Sequence, residues 1–384
     1  MATSLVAGLA MSISTGIQIG FSAATALKLV GAFALGAGLS LVSRALMPKP
    51  DQPGDPGQTI TNRNPSASRK IIYGRIRAGG TIVYMESTGS DNKYLHLVIA
   101  MAGHEIDGYE QVWFDDTLAW DSGTGYQEDF ADHVRINFYE GDQTTADSDL
   151  VDDSDGSWTE DHILRNTAYL YVRLGYNRDR FPTGIPNISA TMRGKKVYDP
   201  ETATTAWSQN PALCLYDYLT DQKYGLDETS GNIDLTQLLA SKDECDELVT
   251  LADSSTQTRY QLDGVIDTSF SRRSVVEQML TSMAGKLVFS GGKFYIVAGS
   301  YQTPTVEVNE DHLVGPIQIQ TKQTRRDAYN AVKGQFISED DNYVAADYPA
   351  FISSAYQTED GDPLYLDMQL PFTTNNKRAQ RLAK

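Results

Sequence analysis

Asn210-Pro-Ala-Leu-Cys-Leu-Tyr-Asp-Tyr-Leu-Thr220 is where the sequence changes its period. Ala212, Leu215, Tyr216 and Leu219 recur at helical spacing, and Asn210 with Pro211 supplies a cap and a first-turn proline. The same kind of spacing predicts a second helix from about Leu235 to Ala252 and a third from about Ser274 to Ala284. Lys286-Leu-Val-Phe289, a Gly291-Gly292 turn and Lys293-Phe-Tyr-Ile-Val297 then read as a β-hairpin. Residues 206–310 are therefore expected to form an α+β domain.

On either side the period is that of strands. Lys70-Ile-Ile-Tyr73, Thr81-Ile-Val-Tyr84, Tyr94-Leu-His-Leu-Val-Ile99 and Gln111-Val-Trp-Phe114 are β-branched or aromatic runs, with Gly79-Gly80, Ser87–Asn92 and Gly108 as turns between them. Strand signals resume at Thr167–Arg173 and Ile188–Arg193. Between them the acidic stretch from about 142 to 161 is too polar to bury and is expected as a surface loop inserted into a first β domain, residues 67–205. After Asp311, strands are expected at Gly315–Thr321, Ala331–Ile337 and Tyr365–Leu370, in a second β domain at 311–384. The closing run from Asn375 to Lys384 opens a helix, so this domain reads as incomplete and the chain as the N-terminal portion of a longer protein.

The first 47 residues differ from all of this. From Leu5 to Met47 only Lys28 and Arg44 are charged, and the fifteen uncharged residues between them fall short of the ~18–20 that span a bilayer. Gly16 and Gly20 lie one helical turn apart and suit close helix packing. A hydrophobic helical head is expected, packed on itself or on a partner protein, with membrane insertion as the alternative. Residues 48–66, with Pro48, Pro50, Pro53, Pro56, Gly54 and Gly57, form a Pro/Gly-rich linker that tethers it.

The bulk chemistry narrows the function classes. Against 32 Lys and Arg stand 50 Asp and Glu, a formal charge of −18, which repels phosphate backbones and anionic membranes. That acid serves solubility, or else forms a wall past which DNA slides without sticking. The two cysteines, Cys214 and Cys245, sit in helix-like stretches and are expected to pack in a core, without a disulfide framework.

Candidate chemical motifs fail at named positions. His104-Glu105 would open a zinc-protease HExxH helix, but position 108 is Gly108. His96, His104, His133, His162 and His312 never fall at metal-ligand spacing. Asp153, Asp155 and Gly156 match three positions of a calcium loop, yet its first position is Val151 and its twelfth is His162. A solvated loop is the default there, and a loose surface calcium site the alternative. Gly74-Arg-Ile-Arg-Ala-Gly79-Gly80-Thr81 has phosphate-loop spacing with Gly80 in place of the lysine, and is expected as a turn. No GxSxG occurs. No catalytic, cofactor-binding or metal-binding residue is assigned, no cofactor is expected, and the chain does not read as an enzyme.

Several segments resemble the central tail-tip, or host-specificity, proteins of lambda-like siphophages and their relatives in gene transfer agents. They are Ile72–Gly80 with Ile82-Val-Tyr84, Leu95–Asp107, Trp113-Phe-Asp-Asp116, Arg193–Pro200, Asn210–Thr220 running into Lys223-Tyr-Gly-Leu226, Ala284–Phe289 and Ala379–Ala383. They follow the family's order over about residues 62–384, and Asn210–Leu226 is the most specific. The resemblance implies a mainly β protein with two tail-tube-like β-barrel hub domains flanking the α+β domain. It implies a homotrimeric ring that closes the distal tail tube and attaches the C-terminus of the tape-measure protein. The distal tail protein, the tube and other tail-tip proteins are the further partners. Such a ring, assembled in the bacterial host cytoplasm and carried in the virion, opens for DNA ejection without binding the DNA, with host-membrane contact through residues 1–47 as an alternative role for the head. The rival readings are a tail-associated cell-wall hydrolase and a membrane-anchored secretion hub.

Overall fold

The computed structural model describes residues 59–301, apart from 65, 128–129 and 183, and residues 328–384, with isolated positions between. The chain divides into two compact units, residues 1–52 and 53–384. The described residues all belong to the second. The hydrophobic head, the linker as far as residue 58 and the strand expected at 315–321 (Gly315 apart) lie outside them.

From Lys70 the chain forms β1 (Lys70–Tyr73), β2 (Arg75–Gly79), β3 (Thr81–Thr88), β4 (Tyr94–Ala102), β5 (Gly108–Phe114), β6 (Thr117–Asp121), β7 (Gly125–Tyr126) and β8 (Val134–Tyr139). A short helix α1 (Ser148–Asp153) precedes β9 (Ala168–Gly175) and β10 (Ile188–Arg193). One sheet has the order β2-β10-β5-β6-β7 and the other β3-β4-β9-β8. They share one core: Leu97, Ile99 and Met101 of β4 and Leu170, Val172 and Leu174 of β9 pack with Ile76, Ala78, Val112, Phe114, Ala190 and Met192 of the first sheet. Period-two alternation, one face inward, gives this arrangement.

Among the described residues no sheet closes on itself, so the first β region is a two-sheet sandwich and not the closed barrel that the resemblance implied. Its corner is Gly79-Gly80, where the chain leaves β2 in one sheet for β3 in the other. A Cβ on Gly80 would meet Ile99 Cγ2, the Ala100 carbonyl and Met101 Sδ, all within 2.6 Å, so close approach demands glycine here.

Three local expectations are corrected. Residues 75–79 are a strand, not a turn; Ile76 and Ala78 point into the core, and β2 pairs with β10 from Arg75↔Arg193 to Gly79↔Ser189. The flanking glycines had hidden that alternation, and Gly108 likewise begins β5 instead of separating strands. The acidic insertion is not a solvated loop: Leu150 of α1 and Trp158 are buried with Val98, Tyr169 and Tyr171 on the outer face of the second sheet. Two apolar anchors seat the stretch, with Asp147 and Ser154 also buried: the Asp147 carboxylate accepts from Asn137 Nδ2 and the Tyr139 hydroxyl, and the Ser154 hydroxyl donates to the Trp158 carbonyl.

Downstream, β11 (Lys196–Asp199) and β12 (Thr204–Trp207) form a hairpin before α2 (Pro211–Thr220). The block continues through α3 (Leu235–Asp246), β13 (Leu248–Thr250), β14 (Thr256–Thr258), β15 (Gly264–Asp267), α4 (Arg272–Thr281), β16 (Lys286–Ser290) and β17 (Lys293–Val297). Asn210 Oδ1 accepts hydrogen bonds from the Ala212 and Leu213 amides at 3.0 and 3.3 Å, the expected cap. The third correction is the end of α3 at Asp246. Asp243, Glu244, Asp246 and Glu247 crowd its C-terminus, where negative charge opposes the helix dipole, and Leu248–Thr250 pairs with β14 instead.

The core around α2 also takes residues from outside 206–310: Ile71 and Tyr73 of β1, Val197 of β11, and Phe372. β1 pairs antiparallel with β15, from Lys70↔Asp267 to Tyr73↔Gly264. The last elements are β18 (Ala331–Lys333), β19 (Gln335–Ser338), β20 (Val344–Asp347), β21 (Phe351–Ile352), α5 (Ser354–Asp360), β22 (Tyr365–Asp367) and α6 (Asn376–Ala383). They enclose a small core of Phe336, Tyr348, Leu370, Ala379 and Ala383. Among the described residues no helix is long and apolar enough to cross a membrane.

Candidate functional site

The polar chemistry of this molecule is concentrated where its segments meet. Gly74, with φ +66°, bends the chain between β1 and β2 over Leu262 and Asp263; a Cβ there would lie 2.9 Å from Asp263 Cα. The bend points the Arg75 amide at the buried Asp263 carboxylate. Asp263 Oδ1 accepts from that amide at 2.7 Å and from Gln209 Nε2 at 2.6 Å, while Oδ2 accepts from the Thr374 hydroxyl at 2.9 Å. Burial pushes the Asp263 carboxyl up, against these donors. One side chain thus ties β2, the approach to α2 and the approach to α6. The Arg75 guanidinium adds Nε to Glu110 at 2.6 Å, Nη1 to the Tyr343 hydroxyl at 2.8 Å, and an ion pair to Glu339.

A second weld joins the sandwich to α2. Asp217 and Asp221 are four residues apart and share a helix face. Lys195, just after β10, donates to Asp217 Oδ2 at 2.7 Å and Asp221 Oδ2 at 2.6 Å, and the Tyr73 hydroxyl donates to Asp217. Burial works against the Lys195 charge, but the two carboxylates outweigh it and hold the ammonium above its ordinary value. Beside it, His104 Nε2 accepts from the Ile72 amide at 2.9 Å and Nδ1 pairs with the Glu105 carbonyl at 2.7 Å, the neutral tautomer. Burial pushes His104 down to about 4. The residue that opened the protease-like motif is a backbone brace.

The remaining flagged residues are spread over the fold. Asp153 bonds Arg135 and Arg173 at 3.4 and 3.2 Å, not a calcium cage. His96 is bracketed by the Thr88 and Tyr171 hydroxyls at 2.7 and 2.9 Å, His133 by the Asn177 amide at 2.9 Å, and His162 stacks on Trp158. His312 lies outside the described residues. Among the described residues no three His, Cys, Asp or Glu side chains converge as a metal would require. Cys214 and Cys245 are free thiols in the core around α2, and burial pushes Cys245 up to about 12. A cavity of about 630 Å³ between residues 63–70 and β3–β4 has three cations, Arg63, Arg69 and Lys70, in its wall and no acid, histidine or cysteine.

Sequence reasoning assigned no role to Asp263, Lys195, Arg75 or Thr374: Asp263 and Thr374 belong to no motif, and the stretches that hold Arg75 and Lys195 gave their charges no partner. The one available signal was Asp217 with Asp221, an i,i+4 acid pair on an otherwise apolar helix, which called for a buried cation.

No family model matches the chain. Among curated proteins it is 30% identical over 190 residues to the tip attachment protein J of Escherichia phage SECphi27, a match covering 45% of this chain and 16% of that protein. It is 25% identical over 344 residues to the baseplate hub protein pb3 of Escherichia phage T5, covering 70% of this chain and 35% of that one. The chain therefore spans between about a sixth and about a third of the length of these relatives. Its fold is shared with a chain of the virion of a native gene transfer agent particle, with a TM-score of 0.54 and 13% identity over 96% of this chain and 83% of that chain. The resemblance read from the sequence is borne out: the chain is a relative of phage tail-tip and baseplate hub proteins.

Proposed function

We infer that this chain, a relative of phage tail-tip and hub proteins, is a structural hub of a tail tip and not a catalyst. Its location is the virion tail tip. One observation carries the reading: similarity to a baseplate hub protein covers 70% of this chain, more than any one of its expected domains holds.

In the proposed arrangement three copies form a ring that closes the distal tail tube, with residues 67–205 and 311–384 facing the tube and 206–310 between them. The ring anchors the tape-measure protein and, with other tail proteins attached, opens when receptor binding shifts it between two packings. An acidic bore lets DNA pass without holding it. The head, residues 1–47, bundles on the axis against the tape-measure end or faces the host membrane. Supporting this, the strongest polar groups (Asp263, Lys195, Asp217, Arg75) are consumed in welds between segments. A hydrolase would instead present a free acid pair to a cleft; no acid lines the cavity of about 630 Å³, and the two acids in the wall of a second cavity of about 440 Å³, Asp263 and Glu339, are bonded to Arg75, Gln209 and Thr374.

The test is the oligomeric state of the purified full chain, by light scattering and electron microscopy. A three-fold ring with a central bore supports the hub. A monomer that clears peptidoglycan in a zymogram establishes the hydrolase, and recovery of the chain in the membrane fraction through residues 1–47 favours the secretion hub.

A further inference from the structure

Two exposed arginines share one cavity and lack a counter-charge. Arg63 and Arg69, together with Lys70, line the cavity of about 630 Å³ beside β3 and β4, a volume within the ~300–1,000 Å³ of ligand pockets. Both arginines are exposed, and no acid stands in the wall. Among the described residues none of the three cations forms an ion pair. Arg69 Nη1 has only the Tyr224 hydroxyl, at 3.4 Å, and Lys70 Nζ donates to the Gly79 carbonyl at 2.6 Å. Asp267, opposite Lys70 in β15, lies outside the wall and accepts from the Ser269 amide at 2.8 Å. In a chain of 50 acids and 32 bases, this cavity reverses the prevailing charge.

β3, which contributes Ile82 and Val83 to the wall, is also the outer strand of its sheet. Its outer side pairs only at the start, where the Ile82 amide donates to the Asn62 carbonyl at 2.8 Å. The register with β4 shifts at Val83, and from Tyr84 to Thr88 the outer edge has no backbone partner among the described residues. An unpaired edge is a template for an incoming strand. Ile82, Val83 and Leu164 give the cavity an apolar part, with Val83 49% exposed. We propose that the cavity and the β3 edge together dock an extended acidic segment of a separate protein. Its backbone adds to β3, its carboxylates meet Arg63 and Arg69, and an apolar side chain covers Ile82 and Val83. An inorganic anion would leave the apolar part and the strand edge unused, and a lipid or nucleic acid has no backbone amides to pair with β3. The acidic stretch of this chain is not the occupant: Leu150 and Trp158 seat it on its own sheet, and Asp147 and Asp153 are already bonded. The inference gives the hub reading a class of partner but does not depend on the ring, since one copy holds the whole site.

The experiment is a fluorescence-anisotropy titration of the full chain into a short labelled peptide that alternates glutamate and valine. Control peptides carry glutamine or lysine in place of glutamate, or methylated nitrogens at alternate backbone positions. The expected result is saturable binding of the glutamate peptide, weakened roughly tenfold by glutamine or by raised salt and absent with lysine. N-methylation should weaken it to a similar extent, because the edge bonds are lost. Arg63→Glu combined with Arg69→Glu should weaken binding roughly tenfold or more while leaving the melting temperature in place, as both side chains are exposed. No saturable binding to the unmodified chain overturns the proposal, as does unchanged affinity in the folded double variant. Equal affinity for the N-methylated peptide refutes the edge pairing. Displacement of the peptide by an equal concentration of phosphate or of a single-stranded oligonucleotide overturns the assignment to a protein segment. Self-association of the chain that the double variant abolishes overturns the separate protein and makes a second copy the occupant.

Discussion

Gly264 and Phe372 provide a quantitative test of how the C-terminal segment is fastened. Phe372 is fully buried in the core around α2, although it lies more than seventy residues beyond β17 in sequence. Gly264 begins β15 directly beneath its ring. A Cβ at 264 would strike Cδ1 and lie 2.8 Å from Cε1 and 3.3 Å from Cγ, all of one side chain. Gly264 has no left-handed φ, so space is the obstacle and not backbone conformation. Phe372→Ala should cost about 3–5 kcal/mol by leaving a ring-sized cavity, and Gly264→Ala about 1–3 kcal/mol by overpacking. With the ring gone the clash is gone, and the added methyl fills part of the void. The double variant should therefore be more stable than the sum of the two by roughly 1–3 kcal/mol, a favourable coupling that neighbouring core residues can reach. Urea unfolding of the four proteins, followed by tryptophan fluorescence, measures it. Additivity within about 0.5 kcal/mol would refute the packing of this segment against β15.

Three further outcomes are expected. Leu150→Ala should lower stability by about 2–5 kcal/mol in thermal or urea melts, where a solvated acidic loop predicts no change. Lys195→Met strips the cation from between Asp217 and Asp221 and should cost about 3–5 kcal/mol, with part recovered when both acids become asparagine. His104 has a folded-state pKa lowered from 6.5 to about 4, so on acidification the unfolded chain takes up the proton first. Its contribution to stability is complete above pH 6.5 and is lost as the pH falls towards 4, about 3 kcal/mol in all. The slope of urea midpoint against pH over that interval should be shallower in His104→Gln, and an equal slope would show that the imidazole is solvated.

What was legible followed from local periodicity. β3, β4, β5, β9 and β10 of the sandwich, α2 with its Asn210 cap, the β16–β17 hairpin and the start of α6 carry their own period or their own punctuation, whereas β6, β7 and β8 were not named as strands. What escaped depended on distant partners. β2 is a five-residue strand between glycines, visible only once β10 is beside it. The seat of Leu150 exists because β4 and β9 present Val98, Tyr169 and Tyr171 outward, a fact no window around residue 150 contains. Asp263 and Arg75 were two charges among many until Gly74 brought them together. Composition suggested that the acidic segment stays in water; two apolar side chains in it decided otherwise.

The way the segments interlock also limits how a tail tip built from this chain can move. A hinge between the sandwich and the α+β block would have to expose Asp263 and the Lys195 cluster without their partners, and β1, which pairs with β15 and also bonds Gly103 and Lys195, would have to part from one side or the other. Each buried charge stripped of its partner costs about 3–5 kcal/mol, and a fully buried apolar side chain about 1.5–3 kcal/mol. The sum far exceeds what binding at a distant receptor site transmits, typically 1–3 kcal/mol per coupling. Opening of the proposed ring therefore has to take place between copies of the chain, where interfaces repack as rigid bodies, and not by parting these welds. Cross-links that lock the β1–β15 pairing should leave DNA delivery intact, whereas cross-links between copies should block it.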